Sequence, residues 1–290
     1  MANLKANDYR NDVQPNWCPG CGHFGIQAAL CSAVAKRGIE PSKMMVVSGI
    51  GCSSRIGGYF YAYGAHTTHG RALPFAQGIK LANQDLDVIA CSGDGDAFAI
   101  GLGHTIHAIR RNVNMTYIVF DNHIYGLTKG QTSPRTDHDF VTKSSPFGNF
   151  ESPLSVIELA IAAGATFVGQ EYCMNQASLS DLIVKAMDHK GFSLVNVFSP
   201  CVTYNKQNTA PWFKEHVVSL SDVEPGYVPN DRVKAISTVM KHDGLCTGLI
   251  YEDLQKPAFD DNFPHDCALV NDVVKPDANV FNELLNEFKY

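Results

Sequence analysis

The feature that most constrains the fold is an alternation of two hydrophobic patterns over roughly the first 200 residues. Short runs rich in β-branched and aromatic residues alternate with longer stretches in which apolar residues recur at helical spacing. Strands that are joined through helices run parallel, and the helices cover the faces of the sheet. The sequence therefore predicts an α/β fold with a mostly parallel sheet flanked by helices.

The individual elements can be placed along the chain. Strands are expected at residues 43–50, 86–93, 115–122, 165–170 and 193–200, and helices at 25–37, 97–111, 153–163 and 175–189. The third helix is expected to have Ser152 as its N-cap and Pro153 as its first residue.

The chain changes character after about residue 205. It becomes polar and is punctuated by proline, with helices expected near 231–241 and 278–288 and a short strand near 247–251. We therefore expect one domain over 1–204 and a C-terminal extension over 205–290, which packs on the domain or on a partner subunit.

The composition fits a large globular core and disfavours some functions. The 290 residues are 45% hydrophobic, which is enough to bury a sizeable core. A formal net charge of −6 leaves no basic surplus to neutralise phosphodiesters, so nucleic acid is not an expected partner. The first residues lack the apolar run of a signal peptide, and no stretch approaches the ~20 apolar residues that cross a bilayer. We therefore expect a cytoplasmic protein that does not enter a membrane.

Unusual residues follow four of the predicted strands. GIGCSSR follows the first strand, GDGDA the second, DNHIYGLTKGQ the third and PCVTYNK the last. In an open parallel sheet, ligands bind in the crevice outside the carboxyl ends of the strands. Each motif alone reads as an ordinary turn, but the four together predict a binding site along this edge.

The acidic glycine turn, Gly93 to Asp96, joins the second strand directly to a helix. Its glycines allow a sharp turn and close approach of a ligand, and the helix amino terminus offers free N–H groups to a phosphate. Asp94 would repel that phosphate unless a divalent cation lay between them, so the turn suggests Mg²⁺ that bridges a carboxylate and a diphosphate. The dinucleotide fingerprint fails because Gly101 comes too late, and no P-loop motif occurs.

The third strand supplies a second part of the same pattern. Asn122 can give a neutral amide oxygen to the cation, and a backbone carbonyl near Ile124 can add another. G-D-G at one strand end and Asn after the next strand resemble the thiamine diphosphate enzymes, although many members have Asn-Asn where this chain has Asp121-Asn122. The resemblance implies that Asp94, Asn122 and the Ile124 carbonyl hold Mg²⁺. It also implies that the cofactor is lined by Gly93, Gly95, Asp96, Gly126 and Leu127.

A longer set of motifs narrows the resemblance to one family. CPGCGH, GIGCSSR, HTTHGRALPFAQGIKLAN, SGDGDAF, GLTKGQ and FSPCVTYN occur in one order between residues 17 and 206. Together they resemble the β subunits of 2-oxoacid:ferredoxin oxidoreductases. The resemblance implies that residues 1–204 carry the diphosphate-binding half of a thiamine site and an amino-terminal loop for a 4Fe–4S cluster. By the same match, Ile50, Gly51 and Ser53 approach the cofactor.

The activity implied by this resemblance is the coenzyme A-dependent oxidative decarboxylation of a 2-oxoacid, which is reversible and passes electrons to ferredoxin. Thiamine diphosphate supplies the electron sink for such a decarboxylation, and a nearby cluster can take electrons singly. Thiamine enzymes also need a pyrimidine-binding domain, for which this chain has no room. The resemblance therefore implies an α subunit that supplies it, in an α₂β₂ assembly.

The nine cysteines have no spacing typical of a disulfide framework, so thiols or metal ligands are expected in a reducing compartment. Cys18 and Cys21 form a local CxxC, while Cys52 and Cys201 follow strands and are flanked by Gly, Ser or Pro. Four such thiolates suit either a cubane cluster or structural zinc, although a zinc ribbon normally brings a second CxxC. The family resemblance implies that these four cysteines hold the cluster.

The remaining five cysteines carry no cluster motif. Cys31 and Cys91 lie in a predicted helix and a predicted strand, where they are expected to be small buried apolar residues. No motif surrounds Cys173, Cys246 or Cys267.

Three further residues are candidates for catalysis. Arg55 and Lys129 lie just beyond the expected site, and two cations there favour a dicarboxylate such as 2-oxoglutarate over pyruvate. GLTKGQ also resembles the 2-oxoglutarate-type members. His69, in THGRA, resembles the family position beside thiamine, where it can hydrogen-bond the diphosphate or a reacting oxygen. The alternatives are solvated surface charge for the two cations, a structural role for His69, and pyruvate or broad 2-oxoacid specificity.

Two other classes of protein are open on the residues alone. A non-oxidative thiamine decarboxylase or synthase would keep the Asp94 and Asn122 motifs but would have no use for four outlying thiolates. A zinc-stabilised interaction subunit would explain the cysteines and leave the spacing of Asp94 and Asn122 unexplained.

Overall fold

The computed structural model describes residues 4–262, 268–271 and 277–289. Its strands are β1 (Met44–Ser48), β2 (Tyr63–His66), β3 (Asp87–Gly93), β4 (Met115–Asp121), β5 (Phe167–Tyr172), β6 (Phe192–Phe198), β7 (Val218–Ser219) and β8 (Cys246–Glu252). Its helices are α1 (His23–Arg37), α2 (Ala72–Ala82), α3 (Leu102–Arg111), α4 (Val156–Ala162), α5 (Gln176–Asp188), α6 (Ala210–His216), α7 (Leu220–Val223), α8 (Arg232–Lys241) and α9 (Ala278–Glu287).

The strands form one sheet in the order β2-β1-β3-β4-β6-β5-β8-β7. Neighbouring strands are parallel throughout, except that β8 runs antiparallel to β5. The mostly parallel sheet predicted from the alternation of patterns is confirmed.

Hydrophobic clusters cover both faces of the sheet. α1 and α5 pack on one face, and α2, α3, α4 and α8 pack on the other. β4 and β6 lie at the centre and are buried along their whole length, as expected for strands covered on both sides. Burying one large apolar side chain contributes about 1.5–3 kcal/mol to the free energy of folding. Because each cluster buries many such side chains, the strands and their ends are held in fixed positions.

The predicted helix at 153–163 begins later than expected. α4 starts at Val156 and is preceded by Ser155, so Ser152 and Pro153 do not form its cap and first residue. The reason is tertiary: Leu154 N donates to Pro134 O (2.8 Å), and Arg135 donates to Leu154 O (2.6 Å). These hydrogen bonds hold Leu154 outside the helix, which therefore begins only at Val156.

The helix predicted at 97–111 is divided in two. A π-helical turn at Asp96–Ile100 precedes α3. Gly101 joins the two parts, and a Cβ there would lie 2.3 Å from Asp96 O. π-Helical turns occur frequently at functional sites, and this one directly follows the acidic glycine turn.

The C-terminal extension contributes to the sheet. β8 adds to the edge strand β5, and Gln170 Nε2 of β5 donates to Gly244 O (2.7 Å) and Cys246 O (2.8 Å). The short strand predicted near 247–251 is therefore present as β8, although the boundary at 204/205 stays a prediction. None of the helices that the structure describes is long and apolar enough to span a bilayer.

Candidate active site

The candidate site lies where four neighbouring strands end. β1, β3, β4 and β6 are consecutive in the sheet and run in the same direction. The register pairs Gly93 of β3 with Phe120 of β4, and Asp121 of β4 with Phe198 of β6. The four motifs that follow these strands therefore meet at one edge, which is where an open parallel sheet offers a ligand crevice.

The first of two cavities at this edge has a volume of about 70 Å³ and is called the acidic cavity below. Every residue predicted to contact the cofactor or Mg²⁺ lines it, namely Ile50, Gly51, Cys52, Ser53, His69, Gly93, Asp94, Gly95, Asp96, Asn122, Ile124, Gly126 and Leu127. Tyr125 and Thr128 complete the lining and were not predicted from the sequence.

Asp94 is buried at the turn after β3, with 1% of its surface exposed. Ser133 Oγ donates a 2.5 Å hydrogen bond to Asp94 Oδ2. Burial, reinforced by the charge of Asp121, raises the pKa of Asp94 to about 7. A carboxylate in this environment is short of positive charge, and a divalent cation would supply it.

Asn122 follows β4 and is also buried. Its Oδ1 accepts a hydrogen bond from Ile124 N (3.0 Å), and Asn205 Nδ2 donates to its backbone O (3.1 Å). These bonds hold the loop against the acidic cavity beside Asp94. Carboxylate, amide and carbonyl oxygens are the donors that Mg²⁺ prefers, so the chemistry of this set fits the predicted ion.

Gly95 is required by the packing of Tyr125. The Tyr125 hydroxyl donates to Gly95 O (2.9 Å), and a Cβ on Gly95 would lie 2.2 Å from Tyr125 Cε1. The tyrosine ring therefore occupies the space that a larger residue would need. Tyr125 lies between Ile124 and Gly126 in the motif DNHIYGLTKGQ, and this position could have identified it as a site residue.

Asp96 uses its carboxylate to hold two loops together. Oδ1 accepts hydrogen bonds from Ile50 N (3.1 Å) and Gly70 N (2.7 Å) and lies 2.7 Å from His69 Nδ1. Oδ2 is buried, and a Cβ on Gly49 would approach it to 1.9 Å. Asp96 thus lines the cavity, as predicted, while its bonds orient the His69 ring.

The second cavity, of about 220 Å³, is called the cysteine cavity. It is lined by the four predicted cluster ligands Cys18, Cys21, Cys52 and Cys201. Trp17, His23, Arg55 and Thr203 lie among the other residues of its wall. The structure thus brings together cysteines from three distant parts of the chain.

Hydrogen bonds fix the loops that carry these cysteines. Cys21 N donates to Cys18 O (3.0 Å), which closes the CxxC turn. Trp17 Nε1 donates to Cys52 O (2.6 Å), and Thr203 Oγ1 donates to Cys18 Sγ (3.1 Å). The amino-terminal loop is therefore tied both to the loop after β1 and to the loop after β6.

Burial of the thiols makes their ionisation unfavourable. It raises the pKa of Cys21 to about 12, and it also raises the pKa of Cys52. The neighbouring cysteines act in the same direction on both. Bound iron would compensate the thiolate charges, because metal ligation requires the deprotonated sulfur.

In the described ranges, no three His, Cys, Asp or Glu side chains converge closely enough to hold one metal ion. A cubane holds its four thiolates further apart than one zinc ion does, because four irons lie between them.

The two cavities share part of their walls. Cys52, Asn122, Gly126 and Leu127 line both. A Cβ on Gly126 would lie 3.7 Å from the Sγ atoms of both Cys52 and Cys201. A cofactor in the acidic cavity would therefore be separated from a group in the cysteine cavity by little more than one backbone segment.

The two predicted substrate cations occupy different positions. Arg55 is half-buried in the wall of the cysteine cavity, and its charge lowers the pKa of Cys52 against the effect of burial. Lys129 is exposed, lines neither cavity, and has a φ of 79°, a conformation that is unfavourable for a residue with a Cβ. Neither cation has a salt-bridge partner among the residues that the structure describes.

A buried polar network behind the acidic cavity was not predicted. Arg135 Nε donates to Asp121 Oδ2 (2.9 Å), and Asn196 Nδ2 donates to the same oxygen (3.0 Å). Asn196 Nδ2 also donates to Gln170 Oε1 (2.9 Å), which continues the network to β8. Only Asp121 belongs to a motif quoted from the sequence. Arg135, Asn196 and Gln170 carry no motif, because strands and a loop that are far apart in sequence assemble the network.

None of the other described cysteines lines the cysteine cavity, although Cys173 lies beside the CxxC loop, since a Cβ on Gly22 would lie 2.8 Å from its Sγ. Cys31 and Cys91 are buried in the hydrophobic core, as expected. Cys173 and Cys246 are also buried, and Cys267 lies outside the described residues.

Family models assign the class of protein. The model of the thiamine pyrophosphate enzyme C-terminal, thiamine pyrophosphate-binding domain matches residues 42–197. The model of the C-terminal part of the pyruvate ferredoxin oxidoreductase β chain matches residues 201–266. The fold and the strand-end site therefore define a thiamine diphosphate-binding enzyme subunit.

Individual relatives narrow the class. The 2-oxoacid:ferredoxin oxidoreductase subunit beta of Saccharolobus solfataricus is 47% identical over 216 residues, which cover 74% of this chain and 70% of that protein. The 2-oxoglutarate synthase subunit KorB of Archaeoglobus fulgidus is 45% identical over 229 residues, which cover 75% and 85%. The chain belongs to the family of 2-oxoacid:ferredoxin oxidoreductase β subunits.

A solved structure extends the likeness to the whole chain. The 2-oxoglutarate:ferredoxin oxidoreductase from Magnetococcus marinus, with 2-oxoglutarate, coenzyme A and succinyl-CoA bound, has a TM-score of 0.89 at 38% identity. The match covers 100% of this chain and 98% of that chain. The predicted fold class, family and oxidoreductase class are confirmed.

Proposed function

We propose that this chain is the β subunit of a 2-oxoglutarate:ferredoxin oxidoreductase. The complex converts 2-oxoglutarate and coenzyme A into succinyl-CoA and CO₂, reversibly, and passes the electrons to ferredoxin. The observation that carries the proposal is the shared wall of the acidic and cysteine cavities. Names of relatives that act on 2-oxoglutarate support the choice of substrate.

The acidic cavity is proposed to hold the Mg²⁺-diphosphate end of thiamine diphosphate, with Asp94, Asn122 and the Ile124 carbonyl as the protein ligands of Mg²⁺. Thiamine diphosphate supplies the electron sink for loss of CO₂ from a 2-oxoacid. The chain's residues form the wall against which it binds: Gly95 leaves room for the Tyr125 ring, and Asp96 holds His69 at the wall. His69 is then available to hydrogen-bond the diphosphate or a reacting oxygen.

The cysteine cavity is proposed to hold a 4Fe–4S cluster on Cys18, Cys21, Cys52 and Cys201. Such a cluster accepts electrons one at a time, which suits a ferredoxin-linked reaction. The cavity volume of about 220 Å³ favours a cluster over one zinc ion. Metal analysis with acid-labile sulfide tests this directly: iron and sulfide are expected, and zinc without sulfide would support the zinc-stabilised interaction subunit instead.

An α subunit is proposed to complete the active site, in an α₂β₂ complex. Ile50 and Leu127 line the acidic cavity but are 36% and 42% exposed, so part of its wall is open to a partner. The pyrimidine end of thiamine and most of the 2-oxoacid would lie on that open side. The complex is proposed to be cytoplasmic, because all the cysteines that the structure describes are free thiols.

Arg55 and Lys129 are proposed to bind the carboxylates of 2-oxoglutarate. Both lack a carboxylate partner within the described part of the chain, and Lys129 is positioned by the turn in which Lys129 N donates to Gly126 O (3.1 Å). Lys129→Met should raise KM for 2-oxoglutarate about tenfold, with a much smaller change for pyruvate. Lys143→Met, at an exposed lysine elsewhere, is the control, and equal effects on both substrates would contradict the assignment.

The overall proposal is tested with the copurified complex. The chain is produced together with the product of a co-transcribed neighbouring gene, and reduction of ferredoxin or viologen is measured with each 2-oxoacid. We expect coenzyme A-dependent reduction with 2-oxoglutarate in preference to pyruvate. Preference for pyruvate would assign the alternative specificity, and no reduction with any 2-oxoacid by a complex that contains iron and thiamine would contradict the function.

A further inference from the structure

His23, the first residue of α1, borders the cysteine cavity and is 1% exposed. Its ring packs edge-on against Trp17, with centroids 5.5 Å apart, and is tilted against Phe120 at 5.2 Å. These two aromatic side chains restrict the orientation of the imidazole. The ring is therefore a fixed part of the cavity wall.

Both His23 ring nitrogens are buried and have no hydrogen-bond partner among the described residues. A neutral imidazole carries one N–H donor and one acceptor nitrogen. Buried donors in folded proteins nearly always have a partner, because an unpaired one is unfavourable. The cavity beside the ring is the space from which a partner can come.

The cysteine sulfurs of the same loop have other donors. The backbone N–H of His23 donates to Cys21, and Thr203 Oγ1 donates to Cys18 Sγ. The His23 ring makes no hydrogen bond to any of the described cysteines. A sulfur-containing group that filled the cavity would bring acceptors nearer to the ring than the thiols alone do.

We propose that the His23 ring donates an N–H hydrogen bond to a sulfur of the cluster and thereby raises its reduction potential. The inference rests on the proposed function, in which a 4Fe–4S cluster is bound by the four cysteines. Reduction adds negative charge to the cluster, and a donor aimed at its sulfur stabilises that charge. His23 thus tunes the electron acceptor without being one of its ligands.

The first test is a redox titration of the intact complex followed by EPR. His23→Phe keeps an aromatic ring between Trp17 and Phe120 but has no N–H. We expect the ratio of reduced to oxidised cluster at a fixed potential to fall about tenfold, which corresponds to a midpoint about 59 mV lower for one electron. His23→Asn and His23→Gln keep an amide N–H, and at least one of them should recover most of the shift.

A second measurement begins with the wild-type complex, so its first outcome does not depend on a variant being stable. The complex is produced with histidine that carries ¹⁵N only in the imidazole ring, because the backbone N–H of His23 also donates to Cys21, and the reduced cluster is studied by pulsed EPR. Coupling to a histidine ¹⁵N is expected, and His23→Phe should abolish it. Absence of that coupling, or its persistence in His23→Phe, would overturn the inference even if the cluster is present. A complex without iron would overturn the proposed function as well.

Discussion

At the scale of single residues, the acidic cavity contains two carboxylates with different tasks. Asp94 is buried and short of compensating charge, whereas Asp96 is engaged by two backbone N–H groups and His69. The sequence places them two positions apart in one turn. Their surroundings, and not their residue type, separate a candidate metal ligand from a residue that holds the loops.

Replacing Asp94 should separate binding from stability. At pH 8, above the raised pKa of Asp94, the carboxylate is ionised, and its burial then lowers the free energy of unfolding of the metal-free chain. Asp94→Asn should therefore leave the unfolding temperature of the metal-free chain unchanged or higher. The same variant should weaken Mg²⁺-dependent binding of thiamine diphosphate at least about tenfold, because the cation loses a charged ligand.

Calorimetric titration and thermal unfolding measure the two effects of Asp94→Asn. Asp85→Asn, at an exposed aspartate, is the matched control and should change neither quantity. Unaltered affinity for the cofactor in Asp94→Asn would contradict the assignment of this residue to Mg²⁺.

Asp96→Asn, unlike Asp94→Asn, should lower the unfolding temperature of the metal-free chain. An amide oxygen at the Oδ1 position can still accept from Ile50 N and Gly70 N, but these bonds lose the strengthening by the carboxylate charge. The NH₂ group then takes the buried position of Oδ2, which has no hydrogen-bond partner among the described residues. A buried polar group without its partner costs about 1–3 kcal/mol, and the unfolding temperature should fall. Thermal unfolding of the metal-free chain checks this, and a variant as stable as the wild type would show that Asp96 does not hold the loops.

At the scale of elements, the periodicity of apolar residues located the central strands, but it did not locate the start of α4 or the short strand β2. β3, β4 and β6 were predicted within two residues because both faces of these strands are buried and their sequences are mostly apolar. The predicted start of α4 was wrong because hydrogen bonds to Pro134 and Arg135 override the local Ser-Pro signal. β2, with little buried surface, carried no such pattern.

The junction of α5 with the sheet gives a pH-dependent prediction. His189, which ends α5, is buried beside Phe167, and burial lowers the pKa of His189 below its ordinary value. The unfolded chain therefore binds a proton more readily than the folded chain does. The free energy of unfolding should decrease as the pH falls below about 6.5, because the unfolded histidine titrates there.

His189→Gln isolates this contribution. Glutamine does not titrate, so the loss of stability between pH 7 and pH 5 should be smaller in the variant than in the wild type. Urea unfolding at the two pH values measures the difference. An equal loss in both proteins would show that His189 is not protonated on unfolding in this range.

At the scale of the whole molecule, the sequence predicted the site better than the structure around it. Cys18, Cys52 and Cys201 were linked by motifs, and the sheet topology explains how they meet. Ser133 and Arg135 were missed because single residues in a loop carry no pattern, and their contacts arise only when distant strands assemble. Tyr125 was also missed, although it lies inside a quoted motif. The exposed position of Lys129 also depends on tertiary structure and, in the proposed complex, on the α subunit.

The central claim is that the two adjacent cavities let electrons pass from a 2-oxoacid bound at thiamine diphosphate to a cluster. Cys18→Ser should abolish transfer, because Cys18 is exposed and its replacement removes a proposed cluster ligand with little effect on the core. Cys246→Ala, at a buried cysteine in β8, should retain it.

The most direct measurement is EPR of the anaerobic complex after addition of 2-oxoglutarate and coenzyme A, without ferredoxin. The wild type and Cys246→Ala should develop the signal of a reduced 4Fe–4S cluster, and Cys18→Ser should not. A wild-type complex that contains iron, sulfide and thiamine diphosphate yet gives no reduced-cluster signal with any 2-oxoacid would contradict the account.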